Sequence, residues 1–401
     1  MRPVFSRCGL STAALAAAAL LAGCASDTPT RAEVEAARVA AAEAAAIAAR
    51  TPPPIRLNQG VADAAAVYMA FSRDMAALEG GFTDPEQIQA ALRRGSAYDP
   101  GQISRGLVAY ASILALQSPE FVSGVRSLAD DQVTRERLVG RIVADPSYAS
   151  TLPGAEAAAG LVMSTLAADI NALGRAANSI ENDAYAIQAP YDPRRPWGVA
   201  EVTNREGRLE TAKVRSAQTM LPSAQEASRL FAAAHSGGGA LAVSGEPRKP
   251  PYPPAVVNAL ALAALAALGY AGDNATANTD ALQFDRVSHG CLSMSKLNLF
   301  QCLAASRPNY EDMFCLGRHI VRDLATCSRG AAMPAPIVTV SDVVPVETRA
   351  PTPEPIIITP PPPAPRETAP AVSRPAPAAP PRPAPSITER LNTEPGRAPS
   401  E

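Results

Sequence analysis

The sequence has few aromatic residues and little net charge, and each scarcity excludes a class of structure or partner. Aromatic residues make up 4% of the chain, so the core must be built chiefly from Leu, Ala, Val and Ile through close helix packing. The formal net charge is −2 over 401 residues. That value indicates neither a nucleic acid nor an anionic lipid surface as a partner.

Most sequence motifs of catalysis are also missing. The chain contains no G-x-S-x-G elbow, no G-x-G-x-x-G turn and no G-K-[ST] phosphate loop. The stretch Ser293-Met294-Ser295-Lys296 matches the S-x-x-K of penicillin-binding enzymes, but no Lys follows position 296 to supply their K-T-G element. We therefore treat the match as chance and predict no catalytic residue, no cofactor and no enzymatic activity.

A metal site is a second possibility that the sequence disfavours. His289 is next to Gly290-Cys291, and His319 is near Cys315. This proximity raises the possibility of a Cys/His metal site or of a thiol nucleophile. Structural zinc sites usually carry Cys pairs two to four residues apart, and no such pair occurs here. We predict no bound metal.

The N-terminus has the features of an export signal. Arg2 and Arg7 precede a run of small and apolar residues at 10–21, which is too short to cross a bilayer. The run ends in Leu21-Ala22-Gly23-Cys24, which resembles the lipobox of bacterial lipoproteins. The resemblance implies removal of residues 1–23, acylation of Cys24 and attachment to a membrane through the lipid. An Asp directly after that Cys retains members at the inner membrane; here Ala25 follows, which favours the periplasmic face of the outer membrane.

Residues 24–57 are expected to form the lipid anchor and an Ala-rich stalk helix. Thr30-Arg31-Ala32-Glu33 has the form of a capping box, and the Ala-rich stretch after it ends at Pro52-Pro53-Pro54. Val34, Ala41 and Ala48 form only a thin heptad seam. A coiled-coil assembly and a monomeric spacer helix both remain open.

Residues 58–330 are predicted to be mainly α-helical. Asp84-Pro85, Asp99-Pro100 and Ser118-Pro119 place a capping side chain before a Pro at the first helical position, and Ser223 is a fourth cap. The segment 255–268 is apolar except for Asn258 and is too short for a membrane span, so it is expected to be a buried helix. Only 199–214 alternates well enough to suggest a β-hairpin, with its turn at 204–207.

The body contains one candidate domain break. A Gly-rich and Pro-rich stretch at 236–254 separates a helical body at 58–235 from a helical segment at 255–330. The total length allows either one large domain or two small ones.

Four cysteines lie within the segment 255–330 and are predicted to form two nested disulfides. Cys291 and Cys302 are about 16 Å apart along one helix, and Cys315 and Cys327 about 18 Å along another. A disulfide needs Cα atoms within about 7 Å, so neither helix can bridge its own pair. Both candidate pairs centre on positions 308–309, and the antiparallel hairpin therefore predicts Cys291–Cys327 and Cys302–Cys315, as expected in an oxidising compartment.

Residues 331–401 are expected to form a disordered, Pro-rich tail. Proline-dense chain favours an extended conformation and cannot form a packed core. Such a tail is either a solvated spacer or a docking segment for an aromatic-lined groove in an envelope complex or for peptidoglycan.

A narrower resemblance lies within 296–317. Lys296-Leu297-Asn298-Leu299-Phe300-Gln301-Cys302 and Tyr310-Glu311-Asp312-Met313-Phe314-Cys315 look like a segment of alphaproteobacterial envelope lipoproteins. The resemblance implies no activity. The sequence favours a non-enzymatic scaffold, tether or accessory subunit; the alternative is an envelope enzyme acting on cell-wall or lipid substrates through residues that no motif reveals.

Overall fold

Four of the described helices begin directly after capping residues that the sequence predicts. In a computed structural model, which describes residues 30–50, 53–188 and 192–335, the side chains of Asp84, Asp99, Ser118 and Ser223 each accept a hydrogen bond from a backbone N–H in the first helical turn. At Thr30, the backbone N–H donates to the Glu33 carboxylate at 2.7 Å and the Thr30 hydroxyl accepts from the Glu33 N–H at 3.4 Å, so both halves of the predicted capping box form. Local sequence therefore sets these starts.

The described residues form α-helices joined by loops and short turns of other helix types. No strand occurs among them, and the only β contacts are two isolated bridges, Leu57 with Ala271 and Glu201 with Pro308. The predicted mainly α fold is confirmed. The helices are α1 Arg31–Arg50, α2 Gln59–Ala76, α3 Pro85–Gly95, α4 Pro100–Ala115, α5 Pro119–Ser127, α6 Gln132–Ala144, α7 Ala155–Gln188, α8 Arg205–Ser216, α9 Ala224–His235, α10 Pro254–Ala267, α11 Thr276–Gln283, α12 Arg286–Ala305, α13 Asn309–Leu316 and α14 Asp323–Ala332.

Helix α1 covers most of the predicted stalk. Its residues 31–46 are exposed to solvent, so this part of the helix buries no apolar face against the described residues. The predicted signal peptide, Cys24 and the Pro-rich stretch beyond residue 335 lie outside the described residues.

The centre of the body is built from α2, α4, α7 and α10. Helix α2 packs closely on α4 at Gly106, where an added Cβ would meet the Ala64 carbonyl oxygen at 2.4 Å. Helix α10 packs on α4, and nearly all of its side chains are buried. The prediction of a buried helix at 255–268 is confirmed, and small side chains allow the close packing that a core poor in aromatics requires.

Helix α7 is the one described helix long and apolar enough, by length and composition, to cross a membrane. Its apolar face, which includes Leu166, Ile170 and Leu173, is buried against the rest of the core. It contacts α2, α4, α13 and α14. These contacts are those of a core helix.

The predicted β-hairpin at 199–214 is wrong. Asn204 adopts a left-handed backbone conformation with φ 52°, and its side chain accepts a hydrogen bond from the Gly207 N–H, which makes it the N-cap of α8. Asn tolerates this conformation better than most residues. The residues read as a turn therefore start a helix.

The candidate break at 236–254 is a loop between helices of one core. Gly237, Gly238 and Gly239 all have positive φ, and the side chain of Gln117, which follows α4, accepts hydrogen bonds from the N–H groups of Ala240 and Leu241. Helices α9 and α10 both contact α4, and buried residues on both sides of the loop belong to one hydrophobic cluster. The described body therefore packs as one unit.

Candidate functional site

The cysteine hairpin is closed as the spacing predicts. Cys291 of α12 is bonded to Cys327 of α14 with Cα atoms 5.5 Å apart, and Cys302 of α12 is bonded to Cys315 of α13 with Cα atoms 5.7 Å apart. Both predicted pairings are confirmed. The return helix is continuous through a π-helical turn at Gly317–Arg322 that joins α13 to α14.

Asn309 links the hairpin turn to another part of the body. Pro308 is at the N-cap position of α13, and Asn309 is the first residue of that helix. The Asn309 side-chain amide donates to the carbonyl oxygens of Trp197 and Ala200 at 2.9 and 3.0 Å. Asn309 therefore ties the turn to the segment before α8.

A buried ion pair joins α8 to the same turn. Arg208 donates hydrogen bonds to the Asp312 carboxylate and to the Leu303 carbonyl oxygen, and Asp312 is fully buried. The carboxylate also accepts from Ser306 at 2.7 Å and from Gln89 at 2.8 Å. Because several partners share the charge, its burial is compensated.

Lys296 is buried in α12 without a carboxylate partner. Its ammonium nitrogen donates to the Ser96 carbonyl oxygen at 2.7 Å and lies 3.5 Å from the centroid of the Tyr98 ring. Burial lowers the pKa of Lys296 to about 7, and the Asp99 carboxylate opposes this shift only in part. At neutral pH a substantial fraction of this amine is therefore uncharged.

The serines of the S-x-x-K match do not form a nucleophile with Lys296. The Ser293 hydroxyl donates to the His289 carbonyl oxygen at 2.8 Å, within its own helix. The Ser295 hydroxyl donates to the His319 carbonyl oxygen at 3.0 Å and accepts from Tyr98 at 3.3 Å. The Ser295 bond to His319 therefore links the two sides of the hairpin.

The three histidines are apart from one another and from any cluster of ligands. Within residues 30–50, 53–188 and 192–335, no group of three His, Cys, Asp or Glu side chains could hold a metal ion. The His235 Nε2 accepts from the Leu57 N–H at 3.3 Å, so its Nδ1 donates to the Phe231 carbonyl oxygen at 2.7 Å. His319 lies 3.3 Å from the Asp323 carboxylate.

A cleft of about 290 Å³ lies between α2 and α7, and we call it the α2–α7 cleft. Its polar lining consists of Tyr68, Ser72, Arg73 and Asp169, and the rest of its wall is Met69 and alanines. The residues of α2 recur one turn apart, so they share one helix face. The volume is near the lower end for ligand pockets.

Two hydroxyls of the cleft are buried without a hydrogen-bond partner. The side-chain oxygens of Tyr68 and Ser72 have no partner among the described residues, although Tyr68 is only 1% exposed. A hydroxyl left unsatisfied in this way costs about 1–3 kcal/mol. Such a cost at the wall of a cleft indicates a place for a ligand or for ordered water.

Burial shifts the pKa values of two titratable groups in the cleft, Asp169 and Tyr68. Burial raises the pKa of Asp169, and the Arg73 guanidinium offsets part of that effect. Burial also raises the pKa of Tyr68 to about 12, with the hydroxyls of Ser328 and Ser72 close enough to lower it slightly. Tyr68 is therefore a neutral hydrogen-bond donor at physiological pH.

No protein-family model, curated protein or solved structure matches this chain.

The disulfides were predicted from the sequence, whereas the α2–α7 cleft was not. Cys24, the predicted lipidation site, lies outside the described residues. Asp169 is three residues after buried Leu166 and four before buried Leu173, so a carboxylate lies on the apolar face of α7. A carboxylate on an apolar face was the sequence feature that could have indicated the cleft. It does not identify α2 as the helix that packs against this face.

Proposed function

We propose that this chain is a lipid-anchored envelope protein whose helical body acts as a non-enzymatic scaffold, tether or accessory subunit. The observation that carries the proposal is Leu21-Ala22-Gly23-Cys24 at the end of a short apolar run. Acylation of Cys24 would hold the protein at a membrane, and Ala25 favours the periplasmic face of the outer membrane. Two disulfides support export to an oxidising compartment.

The helical body suits a scaffold because its elements are fixed to one another by covalent and buried polar links. The disulfides close the α12–α14 hairpin, and the Arg208–Asp312 pair fastens α8 to it. Among the described hydroxyls, none of the cleft or hairpin serines has a His or Lys side chain as a hydrogen-bond partner. A Ser-based nucleophile as found in acyl-transfer enzymes would require such a base.

A second candidate function is an envelope enzyme acting on cell-wall or lipid substrates. The observation that favours it is Asp169, whose pKa is raised by burial at the wall of a cleft. Perturbed acids in clefts are typical of catalytic sites, although structural acids share the property. The cleft is small and mostly apolar, which fits binding of a small molecule better than binding of a polymer.

The anchor is tested by Cys24→Ser. Because acylation requires the thiol, we expect this variant to incorporate no labelled fatty acid and to move from the membrane to the soluble fraction. Ser26→Ala, two residues along, is the matched control and should fractionate like the wild type. A Cys24→Ser protein that stays with the membrane would contradict the lipid anchor.

The tether is tested by deleting residues 334–401. Proline-dense chain contributes no packed core, so the melting temperature should stay within experimental error of the full chain. In-cell cross-linking with mass spectrometry should lose those partners that dock on the tail and keep those that bind the body. A clear fall in melting temperature would show that the tail packs on the body.

A further inference from the structure

Two opposite charges line the α2–α7 cleft without pairing with each other. Asp169 forms no ion pair or hydrogen bond with any described residue, whereas Arg73 lies 3.4 Å from Glu226 of α9. The Arg73 side chain is 60% exposed, so its guanidinium can turn towards the cleft. The cleft therefore offers one site for a cation and one for an anion.

The hydroxyl-bearing residues Tyr68 and Ser72 line the same cleft as these charges. Both hydroxyls are buried and make no hydrogen bond of good geometry, although the Ser72 and Ser328 hydroxyls lie close to that of Tyr68, so water or ligand atoms that reach them gain well-formed hydrogen bonds. The two residues are four positions apart on α2, which puts both hydroxyls on the same face. Tyr68 is further fixed by contact with the Tyr110 ring, with centroids 6.1 Å apart.

We propose that the α2–α7 cleft binds a free α-amino acid with an aliphatic side chain. Its ammonium group would pair with Asp169, its carboxylate with Arg73, and the hydroxyls of Tyr68 and Ser72 would complete the hydrogen bonds. Its side chain would lie against Met69 and the cleft alanines. The volume of about 290 Å³ suits a molecule of this size and is too small for a folded polymer.

Ligands with one charge fit the same surfaces less well. A simple amine would pair with Asp169 but would bring no carboxylate to Arg73, whose ion-pair partner is Glu226 of α9. A simple carboxylic acid would be attracted by Arg73 and repelled by Asp169. A zwitterion satisfies both, and the partly buried setting of Asp169 strengthens its pairing relative to water.

The test is calorimetric titration of the purified full chain with three molecules of one shape. L-leucine should bind measurably at millimolar concentration, and 3-methylbutylamine and 4-methylpentanoic acid should bind at least about tenfold more weakly, since each lacks one charge. Equal binding of the amine or the acid would overturn the assignment of a zwitterion. No binding of any of the three would overturn the site.

Three variants separate the cleft from general effects on the fold. Asp169→Asn and Tyr68→Phe keep the side-chain shape, Arg73→Gln shortens the side chain and removes its charge, and each should weaken leucine binding by about tenfold or more. Asp63→Asn is the control, since Asp63 is on the same helix but accepts its hydrogen bond from Gln59 and lines no part of the cleft. The proposal is wrong if Asp169→Asn and Arg73→Gln, folded as judged by circular dichroism, bind leucine like the wild type.

Discussion

Replacing all four hairpin cysteines by alanine is expected to lower the free energy of unfolding by about 6 kcal/mol. The disulfides span 36 and 13 positions in the sequence. In the chain-entropy model such loops alone contribute about 4 and about 3 kcal/mol, and closing one inside the other shortens the loop that the second must close. Urea denaturation of wild type and variant at pH 7 measures the difference.

The nested arrangement predicts how the losses combine. When the Cys291–Cys327 bond alone is removed, the inner bond still restricts the unfolded chain, and the converse holds for the inner bond. Each single loss is therefore smaller than that bond would cause by itself, and the double loss should exceed the sum of the two single losses. Removing the outer bond should cost more than removing the inner one.

The pairing itself has an independent check. Peptide mapping without reduction should yield linked peptides that join 291 to 327 and 302 to 315. Links from 291 to 302 or from 315 to 327 would contradict the hairpin. If the losses of unfolding free energy from the two single removals add up to the loss from the double removal, the two loops do not restrict the same unfolded chain.

The hairpin could be predicted because its determinants are close together in the sequence. Helical rise fixes the distance between cysteines on one helix, and the turn near position 308 fixes which residues face each other. Helix starts were predictable for the same reason, since an Asp or Ser cap acts on N–H groups within its own first turn.

The parts that were missed depend on contacts between distant segments or on unusual backbone geometry. Tyr68 and Asp169 meet only because α2 packs on α7, and the amphipathic pattern of either helix does not identify its partner. At 199–214 the alternation suggested strands, but the left-handed Asn204 begins a helix there. Polar residues occur on several faces of α12, so its sequence does not show which face is buried. The burial of Lys296 against the Ser96 carbonyl oxygen therefore could not be predicted from the helix alone.

Lys296→Met is expected to remove most of the pH dependence of stability between pH 7 and pH 9.5. The amine has its ordinary pKa of about 10.4 in the unfolded chain and a pKa of about 7 in the fold. Between these values the unfolded chain binds the extra proton, so the free energy of unfolding rises with pH. For wild type the rise over this window should be about 3 kcal/mol.

The direction of the Lys296 pKa shift also predicts the effect of the substitution at a fixed pH. The free-energy cost of burying the ammonium group is fully present below pH 7. It decreases as the pH approaches the pKa that the amine has in the unfolded chain. Methionine keeps the length of the side chain and has no charge to bury, so the variant should be more stable than wild type at pH 7. Its advantage should shrink as the pH rises to 9.5, although it loses the hydrogen bond to Ser96 at every pH.

Lys213→Met supplies the matched control, because Lys213 is half-exposed on α8 and pairs only weakly with Glu210 at 4.0 Å. Urea denaturation of both variants and wild type at several pH values up to 9.5 stays below the range in which tyrosines ionise. The Lys213→Met protein should keep the wild-type rise in stability, whereas the Lys296→Met protein should lose it. Parallel pH profiles for the two variants would show that Lys296 is charged in the fold and that its pKa is not lowered by burial.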